Sequence, residues 1–303
     1  MKPTVLVYSS HDRCEHLHRD WIVQRALESW DNKTLLYLPC SSVTRENQEY
    51  SWGTFSWYLD RFRQYGLQPR HFFYEEDLRR EDVQVFFDWL RYSQVVILGG
   101  GRTTLGLDRY RTLGGRTFGN PEAFVQTLWA RQAQGLLTVG FSAGAAQLCE
   151  HSCDEDVPTF GLIAKTVVTL HHDPAARGYL EHLTHRNPDC LVFGLPNDAG
   201  IAVSRGFTGR GNYWQLIQAV IDRSWDKPED AHHIKTRQGI RIEHRYLDGR
   251  EWRFNGGDVL LRVFYRDGGW EAWIKRPEVP VFHEYGTQRE SWYYSVEDIL
   301  SSR

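Results

Sequence analysis

The chain is 303 residues long, with a formal net charge of −3 at pH 7 and a sequence pI of about 6.5. A chain of this length can bury a full hydrophobic core in one large domain, with or without an appendage. The nearly balanced charge excludes a general electrostatic attraction to nucleic acid or to an anionic membrane. No apolar run approaches the roughly 18 residues of a membrane span, and the N-terminal residues lack the apolar region of a signal peptide. We therefore expect a soluble cytoplasmic protein.

The first half of the chain alternates short apolar runs with amphipathic segments, which predicts alternating strands and helices. The predicted strands are Thr4–Ser9, Thr34–Leu38, His71–Tyr74, Gln94–Leu98 and Leu136–Val139, and the predicted helices are His18–Trp30, Thr54–Tyr65, Asp82–Tyr92, a segment capped by Asn120, and Ala143–Glu150. This pattern predicts an α/β fold with a doubly wound, mostly parallel sheet and helices on both faces. In such sheets the functional site lies at the carboxyl ends of the strands.

The second half begins with similar apolar runs, and the pattern of residue types changes after Gly206. Strands are predicted at the end of Phe160–Leu170, at Leu191–Phe193 and at Ile201–Val203, a helix at Tyr213–Asp222, a loop to Gln238, and antiparallel hairpins with turns at Asp248-Gly249, Gly256-Gly257 and Asp267–Gly269. We therefore predict an α/β domain at 1–206 and a C-terminal extension at 207–303, made of a helix and aromatic-rich β-hairpins.

The segment Gly140-Phe-Ser-Ala-Gly144 has the G-x-S-x-G pattern of a nucleophile elbow. Ser142 lies where a predicted strand turns sharply into a predicted helix, which is the structural context that this motif requires. A serine that only caps the helix is the alternative. In the nucleophile interpretation, the N–H group of Ala143 contributes to an oxyanion hole at the helix N-terminus.

A serine hydroxyl needs a base to accept its proton and a third group to orient that base. Three pairs of histidines follow the elbow: His171/His172, His182/His185 and His232/His233. Only the first pair ends a predicted strand, so we expect His171 to be the base.

Asp198 is the predicted orienting acid, because it follows a short apolar run in a glycine-rich loop. An ordinary Asx turn is the alternative for this residue. Four other acidic residues compete with it for the role: Glu150, Asp154, Glu155 and Asp156. The order Ser, His, Asp differs from the order Ser, Asp, His of the α/β-hydrolases, which disfavours an esterase or lipase.

Gly100 and Gly101 follow another predicted strand and offer unhindered N–H groups for the oxyanion hole. A phosphate-binding loop is the alternative, but the glycines are not followed by the Lys-Ser/Thr pair of a P-loop. A metal site drawn from the histidines and acids around Asp173 would leave the serine unexplained, so no metal or cofactor is predicted. Five scattered cysteines without a C-x-x-C pair indicate neither a disulfide framework nor a zinc site.

Four segments resemble the serine peptidases of family S51, which have the class I glutamine amidotransferase-like fold and include aspartyl dipeptidase (peptidase E) and cyanophycinase. These segments are Val95–Gly101, Gly140–Ala145, Gly161-Leu162 leading to His171, and Gly194–Ala202. The resemblance spans about residues 1–206. The sequence departs from the family at Arg102, where relatives carry a small polar or amide residue, and at Ala199, where some relatives carry a glutamate.

The resemblance implies a serine peptidase that cleaves short peptides or isopeptides near an acidic, aspartyl residue through an acyl-enzyme. Ser142 would be the nucleophile, His171 the base and Asp198 the orienting acid. Arg102 and Arg177 could each bind a substrate carboxylate through two parallel hydrogen bonds.

A catalytically silent relative that binds a metabolite or a protein partner in the same cleft is the alternative function. As a partner we expect a small peptide, and neither nucleic acid nor a membrane. The sequence leaves a homodimer open.

Overall fold

The computed structural model describes residues 1–12, 14–155, 157–173, 175, 177–224, 228, 235–236, 242–245, 251–287 and 289–303, with the backbone alone for 177 and 242–245. Strands β1 to β5 are Val5–Tyr8, Thr34–Leu38, Gln68–His71, Val95–Leu98 and Leu137–Phe141. They pair in parallel in the order β1-β5-β4-β2-β3. All residues of β1, β2, β4 and β5 are buried, which explains their continuous apolar sequence.

Helices cover both faces of this parallel sheet. They are α1 (Glu15–Leu17), which continues through a π-helical turn (His18–Val23) into α2 (Gln24–Leu27), α3 (Arg45–Leu59) with a 3₁₀ extension (Asp60–Tyr65), α4 (Arg80–Tyr92), α5 (Thr103–Phe118), α6 (Ala123–Gln132) and α7 (Ala143–Leu148). Along β1, Val5 and Val7 pack in the core shared with α4 to α7, whereas Leu6 and Tyr8 pack in the core shared with α1 to α3. The predicted doubly wound arrangement is confirmed.

The remaining strands extend this sheet and build a second one. They are β6 (Thr166–Leu170), β7 (Leu191–Leu195), β8 (Ala199–Phe207), β9 (Tyr213–Ile221), β10 (Ile242–Arg245), β11 (Glu251–Phe254), β12 (Val259–Phe264), β13 (Trp270–Lys275) and β14 (His283–Glu284), with helices α8 (Arg177–Arg186) and α9 (Val296–Ser302). Strand β8 pairs antiparallel with β1, and β9, β12, β13 and β14 continue from it to complete a ten-stranded sheet. Strands β11, β10, β7 and β6 form the second sheet in that order.

Several predicted elements differ from the structure. The segment predicted as a helix at Tyr213–Asp222 is strand β9, because its aromatic and β-branched residues pair along their whole length with β8. Helix α5 lies between the glycines after β4 and Asn120, a segment for which the sequence pattern predicts no helix. The predicted boundary after residue 206 falls inside β8. The turn at Asp267–Gly269 joins β12 to β13 as predicted, whereas the one at Asp248-Gly249 lies outside the described residues.

Every helix in the described part of the chain is too short or too polar to cross a membrane.

Candidate active site

Ser142 stands at the sharp turn between β5 and α7. Its backbone has φ 50° and ψ −126°, a conformation that residues with a side chain rarely adopt and that occurs at functional turns. The turn brings α7 very close to β4, which is possible because Gly144 has no side chain: a Cβ there would lie 2.1 Å from the carbonyl oxygen of Leu98. The strand, turn and helix therefore present Ser142 at the carboxyl edge of the sheet.

Helix α7 is also fixed from its far side. The buried Gln147 amide donates to Ser41 Oγ and to the Thr103 carbonyl, both at 2.9 Å. These bonds tie the helix behind the serine to the loop after β2 and to the start of α5. The position of Ser142 is thus set by three elements rather than by its own turn alone.

Ser9 connects three segments of the site. It follows β1 and is fully buried. Its N–H group donates to the Ala199 carbonyl at 3.1 Å, and its own carbonyl accepts from the N–H group of Ser142 at 3.1 Å. Its hydroxyl oxygen accepts from the N–H group of His171 at 2.5 Å. Ser9 belongs to none of the predicted motifs; its signal in the sequence is a polar residue directly after a buried strand, at the edge where the other site residues lie.

His171 follows β6, and its backbone is in the left-handed region with φ 53°. Its Nδ1 lies 2.5 Å from Oδ1 of Asn197. Because an amide oxygen only accepts hydrogen bonds, this contact assigns the ring proton to Nδ1 and leaves Nε2 able to accept a proton. No hydrogen bond joins Ser142 Oγ to this ring in the described structure; such bonds often form only when substrate is present.

The ring of the neighbouring His172 is buried against β7, so close that a Cβ on Gly194 would lie 2.5 Å from it. The backbone N–H group of His172 donates to the Leu195 carbonyl. Of the two histidines after β6, the structure therefore brings His171 to the site.

The structure corrects the predicted role of Asp198 as the hydrogen-bond partner of the base. The Asp198 carboxylate accepts from the N–H group and from the hydroxyl of Thr236, both at 2.9 Å, and burial raises its pKa. The adjacent Asn197 makes the contact with His171 instead. The two consecutive side chains of this turn therefore have different partners: Asn197 contacts His171, and Asp198 contacts Thr236.

The other acidic candidates also lie elsewhere. Glu150 accepts from the N–H group of Lys165, and Glu155 accepts from the N–H group of Thr104 at the start of α5. Asp156 and the pair His232/His233 lie outside the described residues. The exposed His182 and His185 lie on α8. Within the described residues, no three His, Cys, Asp or Glu side chains are grouped to hold a metal ion.

Gly100 lies beside the side chain of Ser142. A Cβ on Gly100 would be 3.2 Å from the Cβ of Ser142 and 3.6 Å from its Oγ. The N–H groups of Gly100 and Gly101 make no hydrogen bond with any described residue, and that of Ala143 is one of the first in its helix, where no intrahelical acceptor exists. These three N–H groups therefore have no acceptor among the described residues.

Arg102 and Arg177 were predicted to bind substrate. Arg102 is exposed at the first turn of α5, directly after Gly101. The side chain of Arg177 lies outside the described residues. Arg102 is therefore adjacent in the chain to Gly100 and Gly101, the glycines beside Ser142.

No protein-family model and no curated protein matches the sequence. The fold is similar to that of a solved structure described as the crystal structure of a peptidase from an acI-B1 Actinobacterium, with a TM-score of 0.51. The match covers 84% of this chain and 98% of that one, at 14% sequence identity. At such low identity the similarity shows a shared mixed α/β fold.

Proposed function

We propose that this protein is a serine peptidase, related to family S51, that cleaves short peptides or isopeptides through an acyl-enzyme. The observation that carries the proposal is the position of Ser9, which hydrogen-bonds to the backbones of both Ser142 and His171. A strained serine turn and a histidine of defined tautomer are thereby held at one edge of the sheet. The similarity of the fold to that of a peptidase supports this choice of reaction.

In the proposed reaction, Ser142 Oγ attacks the carbonyl carbon of the scissile bond while Nε2 of His171 accepts the hydroxyl proton. The carbonyl oxygen becomes an anion and receives hydrogen bonds from Ala143 and from Gly100 or Gly101. His171 then gives the proton to the leaving amine, and the C–N bond breaks. Water, deprotonated by the same histidine, hydrolyses the resulting ester and regenerates Ser142.

Asn197 positions the imidazole in this proposal. Its oxygen accepts the Nδ1 proton and so keeps Nε2 ready to act as a base, as the asparagine does in Cys-His-Asn enzymes. A neutral amide stabilises the imidazolium less than a carboxylate would, because it supplies a dipole and no net charge. The pair is therefore suited to holding a geometry more than to raising basicity.

The proposed substrate carries a carboxylate near the scissile bond. The exposed Arg102, next to the glycines that border Ser142, would bind it through two parallel hydrogen bonds. Arg177 keeps its proposed role as a second carboxylate ligand on sequence grounds. The substrate class is thus an aspartyl or otherwise acidic short peptide.

Labelling with a fluorophosphonate tests the proposal. The serine oxygen displaces fluoride and forms a stable phosphonyl ester, so intact-protein mass spectrometry should show one adduct per chain, mapped to Ser142. Ser142→Ala should abolish the adduct and lower peptide hydrolysis by several orders of magnitude, as triad removal does. Ser29→Ala, a matched change at a half-buried serine between α2 and β2, should keep both. An adduct that persists in Ser142→Ala contradicts the assignment.

Binding without catalysis in the same cleft is the second candidate function. It is favoured by the missing hydrogen bond between Ser142 and His171 and by the neutral partner of that histidine. A folded wild-type protein that forms no adduct and hydrolyses no acidic dipeptide would support it.

A further inference from the structure

A cavity of about 900 Å³ opens between α3 and the segment that follows β1. His11, one of its lining residues, lies two positions after Ser9, and its ring is 4.6 Å from the ring of Phe141. Phe141 immediately precedes Ser142 in the chain. The cavity therefore lies next to the residue that precedes the nucleophile, on the face of the sheet that α1 to α3 cover.

The wall of this cavity is mainly aromatic. Its ring-bearing residues are His11, His18, Tyr50, Phe55, Trp57 and Tyr58. Both imidazoles are neutral near pH 7, because burial lowers the pKa of His11 and lowers that of His18 to about 3. The volume is in the usual range for a pocket that encloses a small ligand or a large side chain.

The carboxylates at the wall of the cavity disfavour an acidic occupant. Asp12 and Glu15 line it and would repel a carboxylate. A cation of the chain already lies at two of these rings: the Arg61 guanidinium is 4.4 Å from the Trp57 ring and 5.2 Å from the Tyr58 ring. Arg61 also forms an ion pair with Glu15 at 3.6 Å.

We propose that this cavity receives an uncharged aromatic side chain of the substrate, from a residue adjoining the acidic residue that Arg102 binds. The inference rests on the proposed peptidase function and narrows its substrate to peptides in which an acidic and an aromatic residue adjoin. An aromatic ring gains from burial and from edge-to-face contact with the rings of the wall. An alanine at the same position leaves the cavity unfilled.

The dipeptides Asp-Phe and Phe-Asp, each compared with its alanine counterpart, test the preference in both orders. Burying a phenylalanine side chain should raise kcat/KM about 10- to 100-fold over alanine in at least one order. Equal kcat/KM for phenylalanine and alanine peptides in both orders would overturn the proposal, while leaving Ser142 as the nucleophile.

Gly53 allows the cavity to be filled without disturbing the fold. It lies on α3 and lines the cavity, and a Cβ there would meet no atom within 4 Å. Gly53→Leu should therefore bring the phenylalanine-to-alanine selectivity close to one. Gly178→Leu adds the same side chain on α8, where a Cβ also meets nothing within 4 Å, and should keep the selectivity. Unchanged selectivity in Gly53→Leu would place the aromatic pocket elsewhere and overturn the assignment.

Binding to Ser142→Ala separates this inference from the proposed reaction. By titration calorimetry, this variant should bind the preferred phenylalanine dipeptide about 10- to 100-fold more tightly than its alanine counterpart, and Gly53→Leu in the same background should remove the difference. Aromatic preference in binding, with no hydrolysis by the wild type, would support the cavity and overturn the peptidase. Hydrolysis by the wild type, with no aromatic preference in binding, would support the peptidase and overturn the cavity assignment.

Discussion

Asn197 and Asp198 are consecutive residues of the turn between β7 and β8, and they serve different contacts. Asn197 Oδ1 reaches Nδ1 of His171, and its carbonyl accepts from the buried thiol of Cys14. Asp198 is held by Thr236, 38 residues further along the chain. The first residue therefore touches the proposed base, whereas the second anchors a distant segment against the start of β8.

Replacing Asn197 should lower turnover, whereas replacing Asp198 should leave it nearly unchanged. Asn197→Ala removes the acceptor that fixes the ring tautomer and should raise the barrier by about 1.5–3 kcal/mol, which is roughly a 10- to 150-fold loss in kcat. Asp198→Asn keeps one acceptor and gains one donor for Thr236, so kcat should stay nearly unchanged. Steady-state hydrolysis of an acidic dipeptide, with its pH profile, provides the measurement. A loss on the order of 10⁴ in Asp198→Asn, as in the template triad, with normal turnover in Asn197→Ala, would restore Asp198 as the orienting acid.

The sequence predicts some of these residues and not others for a physical reason. Ser142 is predictable because its motif, strand and helix are all local in sequence. The choice between Asn197 and Asp198 depends on Thr236, and the role of Ser9 depends on His171, 162 residues away. Local patterns carry no information on such pairings, and the rule that a triad contains a carboxylate favours Asp198, whereas Asn197 makes the contact with His171 in the structure.

At the level of the elements, the parallel half of the sheet follows directly from the sequence. Strands β1, β2, β4 and β5 are buried on both faces, so each is a continuous apolar run. Strand β9 was misassigned because Tyr213–Ile221 is short and apolar on both sides, a pattern that fits a helix or a strand equally well. Its pairing with β8 and β12 decides between them, and that is a tertiary effect.

The close approach of α7 to β4 can be tested at Gly144. A methyl group there would meet backbone atoms of Leu98, which cannot rotate away, so Gly144→Ala should destabilise the fold by about 1–3 kcal/mol. The same substitution at Gly53 on α3 meets open space and should stabilise by up to about 1 kcal/mol, because alanine favours the helix. Denaturant unfolding of both variants gives the comparison. Equal stability of Gly144→Ala and wild type would show that the nucleophile turn is less tightly packed than described.

At the level of the whole molecule, a buried arginine joins the C-terminal strands to the second sheet. Arg262 on β12 donates to the carbonyls of Ala164 and Lys165 and to the side chains of Thr166 and Gln215. Burial lowers its pKa to about 10, and it stays charged at neutral pH because these oxygens replace water. Residues beyond 206 are thus in direct contact with the strand that precedes His171. The predicted boundary after residue 206 rests on a change in composition, and composition carries no information on such contacts.

The buried His18 should make the stability of the whole molecule sensitive to mild acid. It is packed between Tyr8, Phe55 and Tyr58, accepts or donates one hydrogen bond with the Tyr8 hydroxyl, and has its pKa lowered by burial to about 3. The unfolded chain binds a proton at this residue below about pH 6.5, whereas the folded chain does not do so until about pH 3. The stability that the neutral, buried His18 contributes is therefore fully present above pH 6.5 and is lost as the pH falls from about 6.5 to about 3.

The expected loss from His18 is about 2–3 kcal/mol of unfolding free energy between pH 7.5 and pH 4.5, at roughly 1.4 kcal/mol for each pH unit below 6.5. His18→Gln keeps a polar partner for Tyr8 and cannot titrate, so urea unfolding at a series of pH values should show a decline smaller by that amount. His182→Gln, a matched change on the exposed face of α8, should follow the wild-type curve. If His18→Gln loses as much stability as the wild type over this range, then His18 takes up its proton in the folded state and the neutral wall of the neighbouring cavity is also in error.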